Sequence, residues 1–276
     1  MEILCKICNQ ASNKFDANVI LNKYDVNYWH CPKCGFVQTD DPFWIEEAYR
    51  TFYGYECSSE MSFSFFKTTL IQNNIENANI LCFFMRFIPN GICMDFGGGK
   101  GVLTRIMRDY GFDFYHYDKY CENEFAIGFE ADISKKYTLV TAFEVFEHFS
   151  NPLEEIDELM NMTDVLFFST CLITPDPPLI KDWRYYDPNS GRHISFYSLK
   201  TLNFLAKKFG CQLLTNGYNL HILSKTPISM KFFKLLGIYN RIRNKLDITR
   251  KFKKEAKTSD DYELAVSQII KKINLS

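Results

Sequence analysis

A chain of 276 residues is long enough for one α/β body with a full core and a small appendage, and too short for two large domains. Hydrophobic residues at 46% and charged residues at 24% exclude a disordered or fibrous protein, and no window reaches the roughly 18 uninterrupted apolar residues of a membrane-spanning helix. The net charge of -1 conceals an asymmetry, because residues 225–254 hold ten Lys or Arg against the single acid Asp247.

Along the chain, residues 1–40 form a first zone with few helical signals and two cysteine pairs. Cys5 and Cys8, then Cys31 and Cys34, give C-x2-C-x22-C-x2-C, a spacing at which two knuckles bring four thiolates into a tetrahedron around Zn²⁺. Asn9 and Gly35 directly follow the two pairs, and both residue types tolerate the left-handed backbone that knuckles need. Four thiolates leave no open position for water, so this zinc is expected to be structural. With only Lys6, Lys14, Lys23 and Lys33 as cations, the zone lacks the clustered basic face of a nucleic-acid reader, and no nucleic acid is expected as partner. The other six cysteines (57, 82, 93, 121, 171 and 211) sit in apolar contexts and read as small buried hydrophobes. The N-terminus shows no basic, apolar and small-residue export pattern, so the expected location is a reducing cytoplasm.

Residues 41–90 read as a helical segment, with apolar stretches at Phe63 to Ile75 and Ile80 to Ile88. From residue 91 to 224, short apolar runs alternate with amphipathic stretches, the pattern of a doubly wound, mostly parallel α/β sheet. Strands are predicted at Ile92 to Phe96, Phe112 to Tyr117, Leu139 to Phe143, Val165 to Ser169, Cys211 to Thr215 and Leu220 to Leu223. Helices are predicted at Val102 to Tyr110, Pro152 to Asn161 and Ser198 to Phe209, the last opened by Ser198 as N-cap. The segment Ile173 to Arg192 carries Pro175, Pro177, Pro178 and Pro188 among aromatics, and is expected as a long loop over the carboxyl edge of the sheet. Residues 225–276 form a basic tail, either an amphipathic helix on an anionic membrane or a partner, or a solvated helix packed on the body.

The run ICMDFGGGKG sets Asp95, Gly97, Gly98, Gly99 and Gly101 at a strand's carboxyl end, just before a helix, where open sheets bind ligands. It does not fit the dinucleotide pattern G-x-G-x-x-G, because the third position from Gly97 is Val102. Nor is it a P-loop, because Lys100 is followed by Gly101 instead of Ser or Thr.

What remains, D-x-G-x-G-x-G, resembles the first motif of the class I S-adenosylmethionine-dependent methyltransferases. The resemblance continues in order through Asp118, which closes FDFYHYD, Asp132 in EADI, and Glu144, Glu147 and His148 in the strand end FEVFEHF, and it covers about 95–223. It implies a Rossmann-like, seven-stranded sheet with S-adenosyl-L-methionine as cofactor. It further implies that glycine backbone and Asp95 meet the amino-acid end of the donor, Asp118 grips the ribose hydroxyls and Asp132 lies near the adenine; Glu144 is added to the cofactor-binding set.

The textures EVFEH and GRHISFYS look like a bacterial subgroup that methylates sugars and surface-glycan precursors, some of whose members carry an N-terminal zinc module. The expected function is therefore O-methylation of a sugar or nucleotide-activated precursor of capsule or surface polysaccharide, with a phosphoramidate oxygen among the candidate acceptors. The alternatives are a sugar C-methyltransferase and a non-catalytic zinc-containing scaffold. In ubiquinone-pathway O-methyltransferases, a segment similar to Glu144, Glu147 and His148 holds a divalent metal, while metal-independent relatives share the same letters.

Methyl transfer from a sulfonium is an in-line displacement that needs alignment, exclusion of water and often a base. His148 and His193 both fall at the carboxyl edge of the sheet, and either suits that base because imidazole titrates near neutral pH. His193 is favoured for acceptor contact, since its loop WRYYDPNSGRH mixes aromatic faces with Arg184 and Arg192. Tyr49, Tyr53 and Tyr55 are candidates to cover the sulfonium.

Overall fold

The computed structural model describes residues 3–50 and 65–246. Strands β1 (Ile3–Leu4), β2 (Ala11–Ile20), β3 (Tyr24–His30) and β4 (Val37–Thr39) form an antiparallel sheet in the order β1-β2-β3-β4, and a strand from far along the chain, Ser195–Phe196 (β9), closes its edge. The N-terminal zone therefore does not stand apart from the body. It shares a sheet with the segment that follows the Pro/aromatic loop.

The second sheet contains β5 (Cys93–Phe96), β6 (Phe114–Tyr117), β7 (Leu139–Phe143), β8 (Val165–Ser169), β10 (Gln212–Thr215) and β11 (Leu220–Ser224) in the order β10-β11-β8-β7-β5-β6. Strands β6, β5, β7 and β8 run parallel, and the β10–β11 hairpin adds antiparallel to β8. Alternate side chains serve opposite faces, as a sheet covered on both sides requires. Met94, Val140, Leu166 and Phe168 pack against α3 (Pro152–Met162) and α4 (Leu199–Lys208). Cys93, Leu139, Val165 and Phe167 pack with residues of α1 (Phe65–Phe84), α2 (Val102–Asp109) and α5 (Phe232–Leu246).

The predicted strands and helices of the α/β region lie within two residues of their observed bounds, while three other expectations are corrected. The sheet has six strands among the described residues. Where a seventh would lie beside β6, only one parallel bridge forms, His116 to Glu130, because the chain turns at Gly128 with φ 86. The two helical stretches expected before Gly91 are a single helix, Phe65–Phe84, continued by a 3-10 turn over Met85–Phe87. Of the six cysteines read as buried, Cys93 is buried and Cys82, Cys121, Cys171 and Cys211 are half-buried; Cys57 lies outside the described residues.

The Pro/aromatic segment is a long connection with two 3-10 turns, Ile180–Asp182 and Arg184–Tyr186. Ile173, Ile180 and Tyr186, with Ile194 just beyond, bury themselves against Ile20, Val26 and Tyr28 of the N-terminal zone and Trp44 after it. The Trp44 indole donates to the carbonyl of Gly191 at 2.8 Å. An N-terminal sheet thus holds one wall of the α/β body's ligand edge.

Candidate active site

The two cysteine knuckles are built as the spacing predicts. Asn9 (φ 55) and Gly35 (φ 74) both take the left-handed conformation, and their amides donate to the carbonyls of Cys5 and Cys31 at 2.9 and 2.8 Å. One sulfur from each of Cys5, Cys8, Cys31 and Cys34 lies within 4.8 Å of the others, with Cys5–Cys34 and Cys8–Cys31 each at 3.5 Å. Four sulfurs at about 2.3 Å from a tetrahedral ion stand about 3.8 Å apart, so the cluster fits Zn²⁺ closely.

Both knuckles are fastened to the α/β body. Lys6 Nζ donates to the Ser150 carbonyl at 2.9 Å, and the Cys34 carbonyl accepts from Thr201 Oγ1 at 2.9 Å. Gly35 lies so close to the first turn of α4 that a Cβ there would meet Ser198 Oγ at 2.4 Å.

At the carboxyl edge of the parallel strands opens a cleft of about 930 Å³. It is lined by Phe96, Gly97, Asp118 and Tyr120 together with Glu144, Val145, His148, Arg192 and Tyr49, and Gly97 packs so close to Val145 that a Cβ there would meet its Cγ2 at 2.5 Å. Asp118 is shaped by its loop: Oδ2 accepts from the Gly99 amide at 2.9 Å, and Oδ1 from the amides of Tyr120 and Cys121 at 2.8 and 2.9 Å. A carboxylate has about four acceptor positions, so capacity remains on the cleft side. Tyr49 and Tyr120 stack with ring centroids 3.9 Å apart and planes at 11°. Tyr53 and Tyr55 lie outside the described residues.

Behind the glycine loop, Asp95 is 2% exposed, with Oδ1 accepting from Thr141 Oγ1 at 2.8 Å and no partner at Oδ2. Burial pushes its carboxyl up to about 7, against smaller opposing contributions from Thr141 and Thr104. The folded chain therefore keeps this proton to about pH 7, whereas the unfolded chain loses it near pH 4, and stability falls as pH rises through that window by up to roughly 4 kcal/mol. Asp95→Asn is expected to remove this loss. Urea unfolding at pH 5 and pH 8 should show the variant gaining on the wild type at the higher pH, and an unchanged difference would refute the assignment.

Glu144 closes β7 in the left-handed region (φ 54), held there by Ser169: its amide donates to Ser169 Oγ at 2.8 Å, and that hydroxyl donates back to Glu144 Oε1 at 2.5 Å. Such strain in a non-glycine residue costs about 1–3 kcal/mol and clusters at functional sites. Glu147 is fully buried, and neither carboxylate oxygen has a hydrogen-bond partner. Burial, then the charge of Glu144, raises its carboxyl well above the usual range.

His148 stands in the cleft wall with Nδ1 at 3.0 Å from the Arg192 carbonyl, and His193 has Nδ1 at 2.5 Å from the Tyr185 carbonyl. Each Nδ1 donates its hydrogen, leaving Nε2 as an acceptor. The rings are 5.0 Å apart at 78°. Low-polarity surroundings hold His148 well below the usual imidazole range, with the neighbouring His193 and Arg192 adding to the effect, and they lower His193 as well. Glu147, His148 and His193 each offer a ligand atom within 4.8 Å of the others, a two-imidazole, one-carboxylate set that suits a divalent cation.

The fold thus gathers Gly97, Asp118, Glu144 and His148 on one cleft, whereas Asp95, Gly99 and Gly101, also expected at the donor, are not among the residues lining it, Asp95 because it is buried behind the glycine turn. Three further expectations change. His193 is not among the residues lining the cleft, because its imidazole is turned to the Tyr185 carbonyl beside His148. Asp132 is exposed, its Oδ1 taken by the amide and hydroxyl of Ser134 at 3.0 and 2.6 Å, so its neighbours Ile133 and Ser134 line the cleft in its place. Arg184 is exposed and outside the cleft wall, whereas Arg192 lines it. Ser169 and Tyr120 escape a sequence reading. Ser169 acts across two adjacent strands, and only the position of Tyr120 two residues after Asp118 could have marked it.

A mostly parallel α/β sheet with a glycine turn and an acid at its carboxyl edge puts the cleft where open α/β sheets bind their ligands. Residues 72–216 match the family model described as a methyltransferase domain, and the chain belongs to that family. It is an S-adenosylmethionine-dependent methyltransferase. No curated protein matches the sequence.

Among solved structures, an O-methyltransferase family protein from Burkholderia thailandensis is similar at 12% identity and TM-score 0.43, over 67% of this chain and 70% of that one. The magnesium protoporphyrin IX methyltransferase of Synechocystis, solved with S-adenosylhomocysteine, is similar at 16% identity and TM-score 0.42, over 58% and 84%. The human N-acetylserotonin methyltransferase, solved with S-adenosylmethionine, is similar at 13% identity and TM-score 0.39, over 67% and 66%. No helix among the described residues is long and apolar enough to cross a membrane.

Proposed function

We propose that the chain transfers the donor methyl group to an oxygen of a sugar or nucleotide-activated precursor of capsule or surface polysaccharide, phosphoramidate oxygens included, with a structural zinc in its cysteine module. The observation that carries this reading is that Gly97, Asp118, His148 and Arg192 line one cleft. Asp118 would hold a ribose hydroxyl with its remaining acceptor position, the chain at Phe96 and Gly97 would lie beside the amino-acid end of the donor, and the Tyr49–Tyr120 pair would flank it. Glu144 and Glu155 offer acceptors for sugar hydroxyls, and Arg192, Lys119 and Lys136 in the same wall suit an anionic portion of the acceptor.

His148 is the assigned base, in place of the initially favoured His193. Its ring is neutral near pH 7 and Nδ1 is anchored, so Nε2 can take the acceptor proton as the methyl group is displaced in line. His193 sets the position of the His148 ring. His148→Ala is expected to lower turnover by about 10²-fold or more while leaving donor affinity within about twofold. A transfer assay and calorimetry measure the two, and an equal loss of both would reject the role. Transfer of tritium from labelled donor into pools of capsule precursors identifies the acceptor, and labelling of carbon in place of oxygen would reject O-methylation.

The buried, partnerless carboxylate of Glu147 favours a second reading, in which Glu147, His148 and His193 hold a divalent cation. Such a cation supplies positive charge that promotes loss of the acceptor proton. Repeating the assays after chelator treatment and gel filtration separates the two: turnover that is unchanged and not raised by added Mg²⁺ or Mn²⁺ leaves the imidazole as base.

A further inference from the structure

We infer that helix α5 is a peripheral membrane-docking surface for an anionic bilayer. From Lys225 to Leu246 the sequence holds Lys225, Lys231, Lys234, Arg241, Arg243 and Lys245 and no Asp or Glu. The helix is anchored by one face only. Phe232 is fully buried and Leu236 is 5% exposed, and Phe83 stacks on Phe232 and Tyr239 with centroids 5.9 and 4.8 Å away. A second apolar stripe is left outside: Leu235, Ile238 and Ile242 are 38%, 46% and 52% exposed, with Met230 at 68% just before the helix.

At roughly 100° per residue the three stripe residues fall within about 60° of one another, beside the buried face, and Lys234 and Arg241 lie on the side turned away from the body. Helices that only need to dissolve carry mixed charges on their outer faces. This one combines exposed aliphatic side chains with unmixed cations. That combination lets the apolar stripe enter the headgroup boundary while the ammonium and guanidinium groups meet lipid phosphates. Charge complementarity therefore selects an anionic lipid surface as the occupant.

The full chain, with zinc in the buffer, is pelleted with extruded vesicles of phosphatidylcholine alone or of phosphatidylcholine with 30% phosphatidylglycerol, at low and high salt. Binding to the anionic vesicles only, weakened at high salt, is expected. Leu235→Ser, Ile238→Ser and Ile242→Ser combined should lower partitioning at least tenfold, as should Lys234→Glu with Arg241→Glu, with thermal melting and donor affinity unchanged. Equal binding to both vesicle types, no binding to either, or wild-type partitioning by the serine variant would overturn the proposal. So would a wild-type dimer that the serine variant converts to monomer, because a second copy would then cover the stripe. None of these readouts depends on the acceptor or on turnover.

Discussion

Cys31→Ser is expected to abolish zinc binding at the proposed four-thiolate site and to cost the protein most of its activity and a large part of its thermal stability. A four-thiolate structural site contributes on the order of 10 kcal/mol to the fold it closes, and a serine hydroxyl does not replace a thiolate as ligand. The effect is not confined to the knuckles. The first knuckle bonds Ser150, which lines the cleft two residues after His148, and the second accepts at its Cys34 carbonyl from the Thr201 hydroxyl in the first turn of α4. The β4–β9 pairing also ties the module to the segment that carries Arg192 and His193. Metal analysis should fall from one zinc per chain to near none. The melting temperature should drop by about 10 °C or more, since 1 kcal/mol is worth about 2–4 °C in a domain of this size. Donor affinity should fall less than turnover, because the loop of Asp118 is held by its own amides at Gly99, Tyr120 and Cys121, while the knuckles bond Ser150 and Thr201. A wild-type chain purified without metal and melting no lower than the zinc-loaded one would remove the zinc assignment and leave the methyltransferase assignment standing.

Asp118→Ala has the second large effect, and it is concentrated in donor binding. The side chain does two jobs: it organises the loop by accepting from Gly99, Tyr120 and Cys121, and it lines the cleft with one acceptor position left. A charge-assisted hydrogen bond contributes about 1.5–3 kcal/mol, so losing the acceptor of one ribose hydroxyl predicts a loss of about 10- to 10²-fold in affinity for the donor and for its demethylated product. The loop is half-exposed and outside the main core, so the melting temperature should move by only a few degrees. Asp118→Asn separates the two jobs. It keeps one acceptor oxygen for the loop but presents an amide donor to the ribose, and its affinity should remain low. Calorimetry with S-adenosylhomocysteine measures both variants, and near wild-type affinity in either would place the nucleoside elsewhere.

Much of the fold was legible because its signals are local. Left-handed positions at Asn9 and Gly35 follow from the CxxC spacing, and strands such as Val165–Ser169 announce themselves as apolar runs between turns. The glycine cluster and Asp118 were legible for the same reason, since backbone conformation and strand-end position are encoded within a few residues. The missing seventh strand was not, because the segment around Glu130 pairs through one bridge only, and pairing depends on what the neighbouring strand offers. The exposure of Asp132 was hidden as well, since a carboxylate two residues before a serine can serve its own turn as readily as a ligand.

The histidines show the limit most clearly. From residue types alone, His148 and His193 are equal candidates for one proton. What separates them is a pair of backbone carbonyls, at Arg192 and Tyr185, and a sheet that joins the N-terminal module to the segment between them and α4. The sequence by itself determined the spacing of the four thiols, the strands and helices of the six-stranded α/β sheet, and the glycine turn with its acid. Only the tertiary structure decided that the N-terminal zone is an antiparallel sheet closed by Ser195–Phe196, that Glu147 is buried without a partner, that Glu144 is held in a left-handed turn by Ser169, and that the cysteine knuckles brace the cleft wall. The physical reason is range: turn chemistry and periodicity act over a few residues, whereas burial and side-chain pairing are set by groups some 25 to 160 positions away.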